Sequence, residues 1–514
     1  MGPGYLLCLF LLISTDCRSN MSAGETESHS EAISAEGATA PETLRQTDRW
    51  CEDFPKSCRR LRQSAHRRSK RPVSLKQPVN LSGPVTEGVL STDSGREGTL
   101  DASRSTEIIM KRIAVIGGGI TGITTAYTLA KRGLDVTVYE KHRYAAMETS
   151  FANGGQLSAS NAEVWNNWQT VVKGIKWMSR RDAPLLVNPK PSWHKLSWFA
   201  EFIAAIPQYE KNTTETARLA IAARDHLFAW AQEEGIDFDL KKQGILHIYR
   251  DKAGFDHAAK VSRLLSAGGL ERRSVTPEEM KAIEPTLAGS YYGGFFTESD
   301  STGDIHKFTN GLADAIQRLG VKTCYGHTVT ELSADENSAW VTVHDGEEQS
   351  RDTFDGVVIC AGVGSRALAS KLGDRVNIYP VKGYSITVEL DDEASQKAAP
   401  TVSLLDDATK IVTSRLGDGR FRVAGTAEFS GYNRDIKDDR IRPLTRWVEQ
   451  CFPGVCTRRV VPWAGLRPML PNMMPRVGQG RLPTVFYNTG HGHLGWTLSA
   501  ITAEMLADAV DRSS

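Results

Sequence analysis

The stretch IAVIGGGITGITTAYTLAKRG, Ile113 to Gly133, constrains the fold more than any other part of the chain. Ile113 to Ile116 are apolar and mostly β-branched, as a strand buried on both faces of a parallel sheet would be. Gly117, Gly119 and Gly122 follow in the G-x-G-x-x-G spacing. Ala126, Leu129 and Ala130 then recur at helical intervals, and Gly133 stands where a C-cap belongs. LDVTVYEK supplies a second strand that ends at Glu140, eighteen residues after Gly122. Strand, tight turn, helix and an acid at that distance describe a dinucleotide-binding unit.

Each residue type has a physical task. Gly117 permits the strand-to-helix turn, Gly119 lets a pyrophosphate approach the backbone, and Gly122 lets the helix lie close to the strand. The phosphate would sit at the helix N-terminus, beside Ile120, where free N–H groups and the dipole favour an anion. Glu140 can accept hydrogen bonds from ribose hydroxyls, and Lys141 follows it at the same strand end. The motif alone does not separate FAD from NAD.

The C-terminus repeats this logic. VFYNTGHGHLGWTLSAITAEMLADAV reads as a strand, a glycine-rich turn and a long helix, with Gly490, Gly492 and Gly495 in the turn. A phosphate-binding turn at each end implies a large ligand held by a discontinuous domain, which suits FAD better than NAD. DGVVICAGVGS is a further buried strand, passing the cofactor at Ala361 and Gly362, and KFTNGLADAIQRLG an amphipathic helix. Longer helical segments between Trp165 and Phe296, then the strand-rich block Asn377 to Arg422, read as parts of a second domain. WAGLRPMLPNMMPRVG, Trp463 to Gly478, is rich in Pro and Gly and reads as irregular. The expected class is therefore α/β: a discontinuous Rossmann-like FAD-binding domain (110–195, 300–375 and 463–514) plus an α+β substrate domain (196–299 and 376–462) with a mostly antiparallel sheet.

Residues 1–109 show no sustained periodicity and read as a disordered extension. YLLCLFLLIS suits a signal-peptide h-region, yet no Lys or Arg precedes it. Three readings stand: a leader, a solvated tail whose basic tract KSCRRLRQSAHRRSKRP meets anions, or upstream sequence from a wrongly chosen start before Met110, the preferred one. A net charge of +1 gives no reason to expect nucleic acid as a partner. Cys324, Cys360, Cys451 and Cys456 of the body form no metal-ligand spacing and are expected buried as small apolar groups in a cytoplasmic, reduced protein; no metal site is expected.

IAVIGGGITG, ETSFANGGQLS, IKWM, TGDIHKFTNGLA, YPVKGYS, GLRPMLPNMMPRVG and NTGHGHLGWT, in that order, resemble the FAD-dependent D-amino-acid dehydrogenase (small subunit) family, within the D-amino-acid oxidase and glycine oxidase superfamily. The resemblance covers nearly all of Met110 to Ser514. It implies that Gly117, Gly119, Gly122 and Glu140 bind ADP, that Thr149, Asn153 and Gln156 lie beside the flavin ring, and that Val329 passes the adenine. It implies a C-terminal flavin clamp of Gly490, Gly492, Gly495 and Thr497, and in Arg467 the grip on the substrate carboxylate.

A guanidinium fork suits that last task, because it orients a carboxylate with paired donors. The plain alternative is a surface ion pair. Tyr384 could bond the same carboxylate or be a half-buried strand residue; His491 could sit by the flavin or only line the turn. No role is assigned to His306, and no base is named. The resemblance implies oxidative deamination of a small D-amino acid, with electrons passed to a carrier such as a membrane quinone, and with peripheral contact at the inner face of the cell membrane. A glycine, sarcosine or D-hydroxyproline oxidase is the alternative, and a non-catalytic flavin-binding subunit the alternative of another class.

Overall fold

In the computed structural model, residues 111–177 and 183–513 are described; the readings of residues 1–109 fall outside them. A six-stranded sheet runs in the order Arg476–Gln479, Val485–Thr489, Gly356–Ile359, Arg112–Ile116, Asp135–Glu140, Lys322–Tyr325. All its pairings are parallel except the outer one, between Arg476–Gln479 and Val485–Thr489. Ile116 stands opposite both Ile359 and Tyr139, so three strands end level and their turns open on one edge. Ile113, Ala114 and Val115 are fully buried, as their lack of polar alternation requires.

Helices Ile120–Lys131 and Gly495–Asp511 cover one face of this sheet side by side. Small residues at the second helix (Ala500, Ala503, Ala507) permit that closeness, and Thr124 Oγ1 bonds the Ser499 carbonyl across the contact at 3.3 Å. Helix Tyr209–Glu233 joins the same layer through Leu227 and Trp230, whose ring lies 5.2 Å from Tyr127. Its N-terminal half packs elsewhere, through Ala217 and Ala220 against Val261 and Leu265. The meander Thr328–Ala334, Ala339–His344, Gln349–Phe354 encloses another core with the opposite face of the sheet.

The second large sheet has nine strands and is mostly antiparallel. One edge runs Val460–Met469, Tyr379–Glu389, Arg420–Phe429, Ile411–Leu416. Helix Asp438–Cys451 packs on one face through Leu444, Trp447 and Val448 against Tyr384, Ile386 and Val388. One expectation is corrected here. Trp463 to Gly478 is not irregular throughout: Val460–Met469 is a ten-residue strand and Arg476–Gln479 another. Pro462 and Pro468 are tolerated because the first is an edge strand. That strand pairs into the second sheet beside Tyr379–Glu389.

Among the described residues no helix is long and apolar enough to cross a membrane, and no group of His, Cys, Asp or Glu could hold a metal ion. Cys324, Cys360 and Cys451 are buried, whereas Cys456 is partly exposed and accepts from Arg458 Nε.

Candidate active site

A cavity of about 660 Å³ lies between the two sheets, and every residue expected at the site borders it except Gly122. Gly122 packs beneath: a Cβ there would stand 1.8 Å from the Gly117 carbonyl oxygen. Gly117 has φ +114°, and a Cβ would stand 2.7 Å from the Cys360 oxygen. At Gly119 only Ser150 Oγ comes near, at 3.6 Å, so the space before the helix N-terminus stays open. Ile120 N–H donates to that Ser150 hydroxyl at 3.1 Å. Glu140 is buried and accepts from the N–H groups of Gly118 (2.6 Å) and His142 (2.9 Å), which fixes the carboxylate and leaves acceptor capacity for ribose. Lys141 is committed to Glu148 at 2.7 Å, which also meets His142 and Arg434. Burial would raise the Glu148 carboxyl; His142, Arg434 and Lys141 instead hold it well below the usual range.

The loop from Thr149 to Gln156 is tied to the second sheet. Thr149 Oγ1 donates to the Leu466 carbonyl at 2.8 Å, and Asn153 Oδ1 accepts from Gly155 N–H at 2.9 Å. Gln156 Nε2 donates to Ser403 Oγ at 2.8 Å, while its Oε1 is buried without a partner among the described residues, free for a ligand donor. Val329 begins the meander, and Gly362, with φ +53°, turns the chain after Ala361. Gly490 has φ +79° and Gly492 φ +59°. Gly495 opens the last helix, so a second helix N-terminus borders the cavity, and Thr497 Oγ1 accepts from Ser158 N–H at 3.3 Å.

Arg467 borders the cavity from Val460–Met469. Its Nη1 donates to the Thr426 carbonyl at 2.9 Å, and no described carboxylate pairs with it, so it is no surface ion pair. Burial alone pushes it down to about 10, still a cation at neutral pH.

The other two candidates are bonded within the protein. The Tyr384 hydroxyl donates to Glu428 at 2.7 Å, and its ring packs in the cluster under helix Asp438–Cys451, beside Lys382 and Arg440. Side chains alternate along a strand, so Tyr384 faces away from the guanidinium that lies on its neighbour Gly383. The His491 ring is tied to the last helix, with Nε2 3.0 Å from Thr502 Oγ1; burial pushes it down to about 3 and keeps it neutral. It holds the turn together.

Several residues at the site had no individual signal in the sequence. His493 stacks on Trp165 at 5.1 Å, with Nε2 3.3 Å from the Asn161 carbonyl, and burial pushes it down to about 4. Its place in the G-H-G-H turn was the available hint. Glu163, which accepts from Tyr209 (2.7 Å) and faces His257 (3.1 Å), and the Lys410–Asp407 pair come from separate loops that only the tertiary fold brings to one cavity.

A sheet edge with two helix N-termini, a fixed acid and a cation in a shared cavity defines a dinucleotide-dependent oxidoreductase. The sequence model of the FAD dependent oxidoreductase (DAO) family matches residues 112–509, and the chain belongs to that family. It is 64% identical over 401 residues to D-amino acid dehydrogenase 3 of Mesorhizobium japonicum, covering 78% of this chain and 97% of that one. It is 41% identical over 411 residues to a D-amino acid dehydrogenase of Paramagnetospirillum magneticum, covering 78% and 94%. Among solved structures, glycine oxidase from Geobacillus kaustophilus shares the fold, with a TM-score of 0.61, 19% identity and coverage of 79% and 96%. The cofactor is FAD, and the residues fit it: Gly119 leaves open the approach a Cβ would fill, Glu140 is fixed, and Gln156 Oε1 lacks a partner.

Proposed function

We propose that the protein oxidises D-amino acids to 2-oxo acids and ammonia, by removal of hydride from Cα, release of the imino acid and its hydrolysis by water. The observation that carries this is Arg467, a partly buried cation on the cavity wall with no acidic partner among the described residues, which calls for an anionic ligand. The D-amino acid dehydrogenases of M. japonicum and P. magneticum, at 64% and 41% identity, support the substrate class. FAD, when bound, supplies the hydride acceptor. The residues of the chain do the rest. Arg467 binds and orients the α-carboxylate, which fixes where Cα stands. His491 and His493, neutral at physiological pH, add no cation beside the substrate ammonium. The ammonium must lose a proton before hydride departs, and solvent suffices for that.

The same reading passes the electrons to a quinone at the inner face of the cell membrane. Its support is the presence of exposed side chains of the kinds that suit a bilayer surface: Trp193 is 81% exposed, Trp168 and Val172 about half, and exposed Lys173 shares the helix Trp168–Trp177. The test is anaerobic mixing of the flavin-loaded protein with D-alanine, L-alanine and sarcosine in turn. Bleaching of the flavin by D-alanine alone is the expected result. Bleaching by sarcosine alone would transfer the site to secondary amines, and none by any of them would leave a flavin-binding subunit.

A further inference from the structure

Among the described residues Arg467 has no carboxylate to hold it, so another group must aim it. Two features of the adjoining strands do so. Tyr379–Glu389 pairs with Arg420–Phe429 in a register that places Lys382 opposite Glu428 and Tyr384 opposite Gly425. Gly383 alone therefore faces two residues, Thr426 and Ala427, which is a β-bulge. Thr426 adopts φ +58°, a left-handed conformation unusual for a β-branched residue, and its Oγ1 is buried without a partner among the described residues. The bulge interrupts the ladder at Thr426, and its carbonyl takes the Arg467 Nη1 bond at 2.9 Å instead.

The second feature is an absence of side chain. A Cβ on Gly383 would stand 2.2 Å from Arg467 Nη1, 2.3 Å from Cζ and 2.4 Å from Nη2. The guanidinium occupies the volume that any other residue would fill. Across the pair, Gly383 faces Gly465, over which Trp463 lies in the same way, its ring 2.1 Å from where a Cβ would be. Trp463 and Arg467 thus lie over a floor of two glycines, and both border the cavity.

We infer that Gly383 and the bulged Thr426 are positioning residues for recognition of the substrate α-carboxylate. Gly383 seats the guanidinium on the sheet, and the Thr426 carbonyl fixes its rotation through one N–H, leaving the other donors for the ligand. This rests on Arg467 being the carboxylate grip.

The experiment is Gly383→Ala in the full-length, flavin-loaded protein. The expected result is a fall in kcat/KM for D-alanine of about a hundredfold, with flavin content kept. Propionate binding, read from the flavin absorbance, weakens in parallel, whereas the rate with D-alaninamide, which lacks the carboxylate, is unchanged. Unchanged D-alanine kinetics in Gly383→Ala, or an equal loss with D-alaninamide, overturns the inference. If Gly383→Ala does not fold, Arg467→Ala/Gly383→Ala removes the clash and regains the flavin; failure to regain it also overturns the inference. Failure of the functional reading looks different, because the parent protein itself would then not be reduced by D-alanine.

Discussion

At the level strand ends of the six-stranded sheet, the cavity wall is made of backbone. On the nine-stranded sheet it is made of side chains. Gly117, Gly119 and Gly122 contribute by having no Cβ, and the groups they present are N–H donors. Arg467 contributes a charge, and only its supports, Gly383 and the Thr426 carbonyl, are backbone. A wall of backbone recognises what all flavin nucleotides share. A wall of side chains can be altered one residue at a time, and it is where substrate choice can vary while the cofactor stays.

The largest test of this contrast is Gly122→Ala. Its new methyl would overlap the Gly117 carbonyl, which is backbone in the centre of the cradle and has no route of retreat. Helix and strand must separate, so no flavin-loaded protein is expected, as read from flavin absorbance and the thermal midpoint. Arg467→Ala, on the other wall, should leave flavin content and folding intact and raise KM for D-alanine by about 10²–10³-fold, the loss of a charge-assisted pair. Loss of flavin in the second variant, or its retention in the first, would merge the two walls into one unit.

The C-terminal turn complicates the division, because it adds a buried histidine, His491, and a partly buried one, His493, to a glycine cradle. His491 is pushed down to about 3 and His493 to about 4, against about 6.5 in an unfolded chain. Between those values the unfolded state binds more protons, so stability is fully present above about pH 6.5 and is lost as pH falls toward the folded values. Glu428 and Asp304, both lowered, add a further loss only below the ordinary carboxylate range. The acid limb of a thermal-midpoint titration should therefore begin near pH 6.5, and His491→Asn should flatten it by a few kcal/mol across the limb. An unchanged slope would mean that His491 titrates normally and that the turn is open to water.

These walls also differ in how far the sequence discloses them. The spacing of Gly117, Gly119, Gly122 and Glu140 is local, and their contacts are with each other and the adjoining strand, so the sequence carries nearly all of it. Arg467 is legible as a residue type but not as a geometry. Pro462 and Pro468 conceal its strand, because an edge position that tolerates proline is a property of the assembled sheet. The bulge at Thr426 depends on cross-strand register, which one strand cannot encode. Tyr384 is a different case: period-two alternation already sets it opposite in direction to Gly383, and placing Arg467 on that glycine would have excluded it. Glu163 and Lys410, from distant loops, and His257, from helix Lys252–Ala267, converge on the cavity and carry no sequence signal.

The smallest expected effect concerns the seam between the walls. Helix Ile120–Lys131 begins at Gly119, which has no side chain to cap it. Ser150 supplies the missing acceptor to Ile120 N–H from thirty residues away, on the loop that Thr149 and Gln156 tie to the other sheet. The cradle must keep Gly119 bare for the phosphate, so the cap has to come from outside the helix. Ser150→Ala should cost about 1 kcal/mol of stability, as loss of an N-cap acceptor does. It should leave KM for D-alanine unchanged, because the bond lies on the nucleotide side and Arg467 is held by its own supports. A rise in KM comparable with that of Arg467→Ala would show instead that the loop transmits the helix position to the carboxylate grip, and the two walls would then have to be treated as coupled.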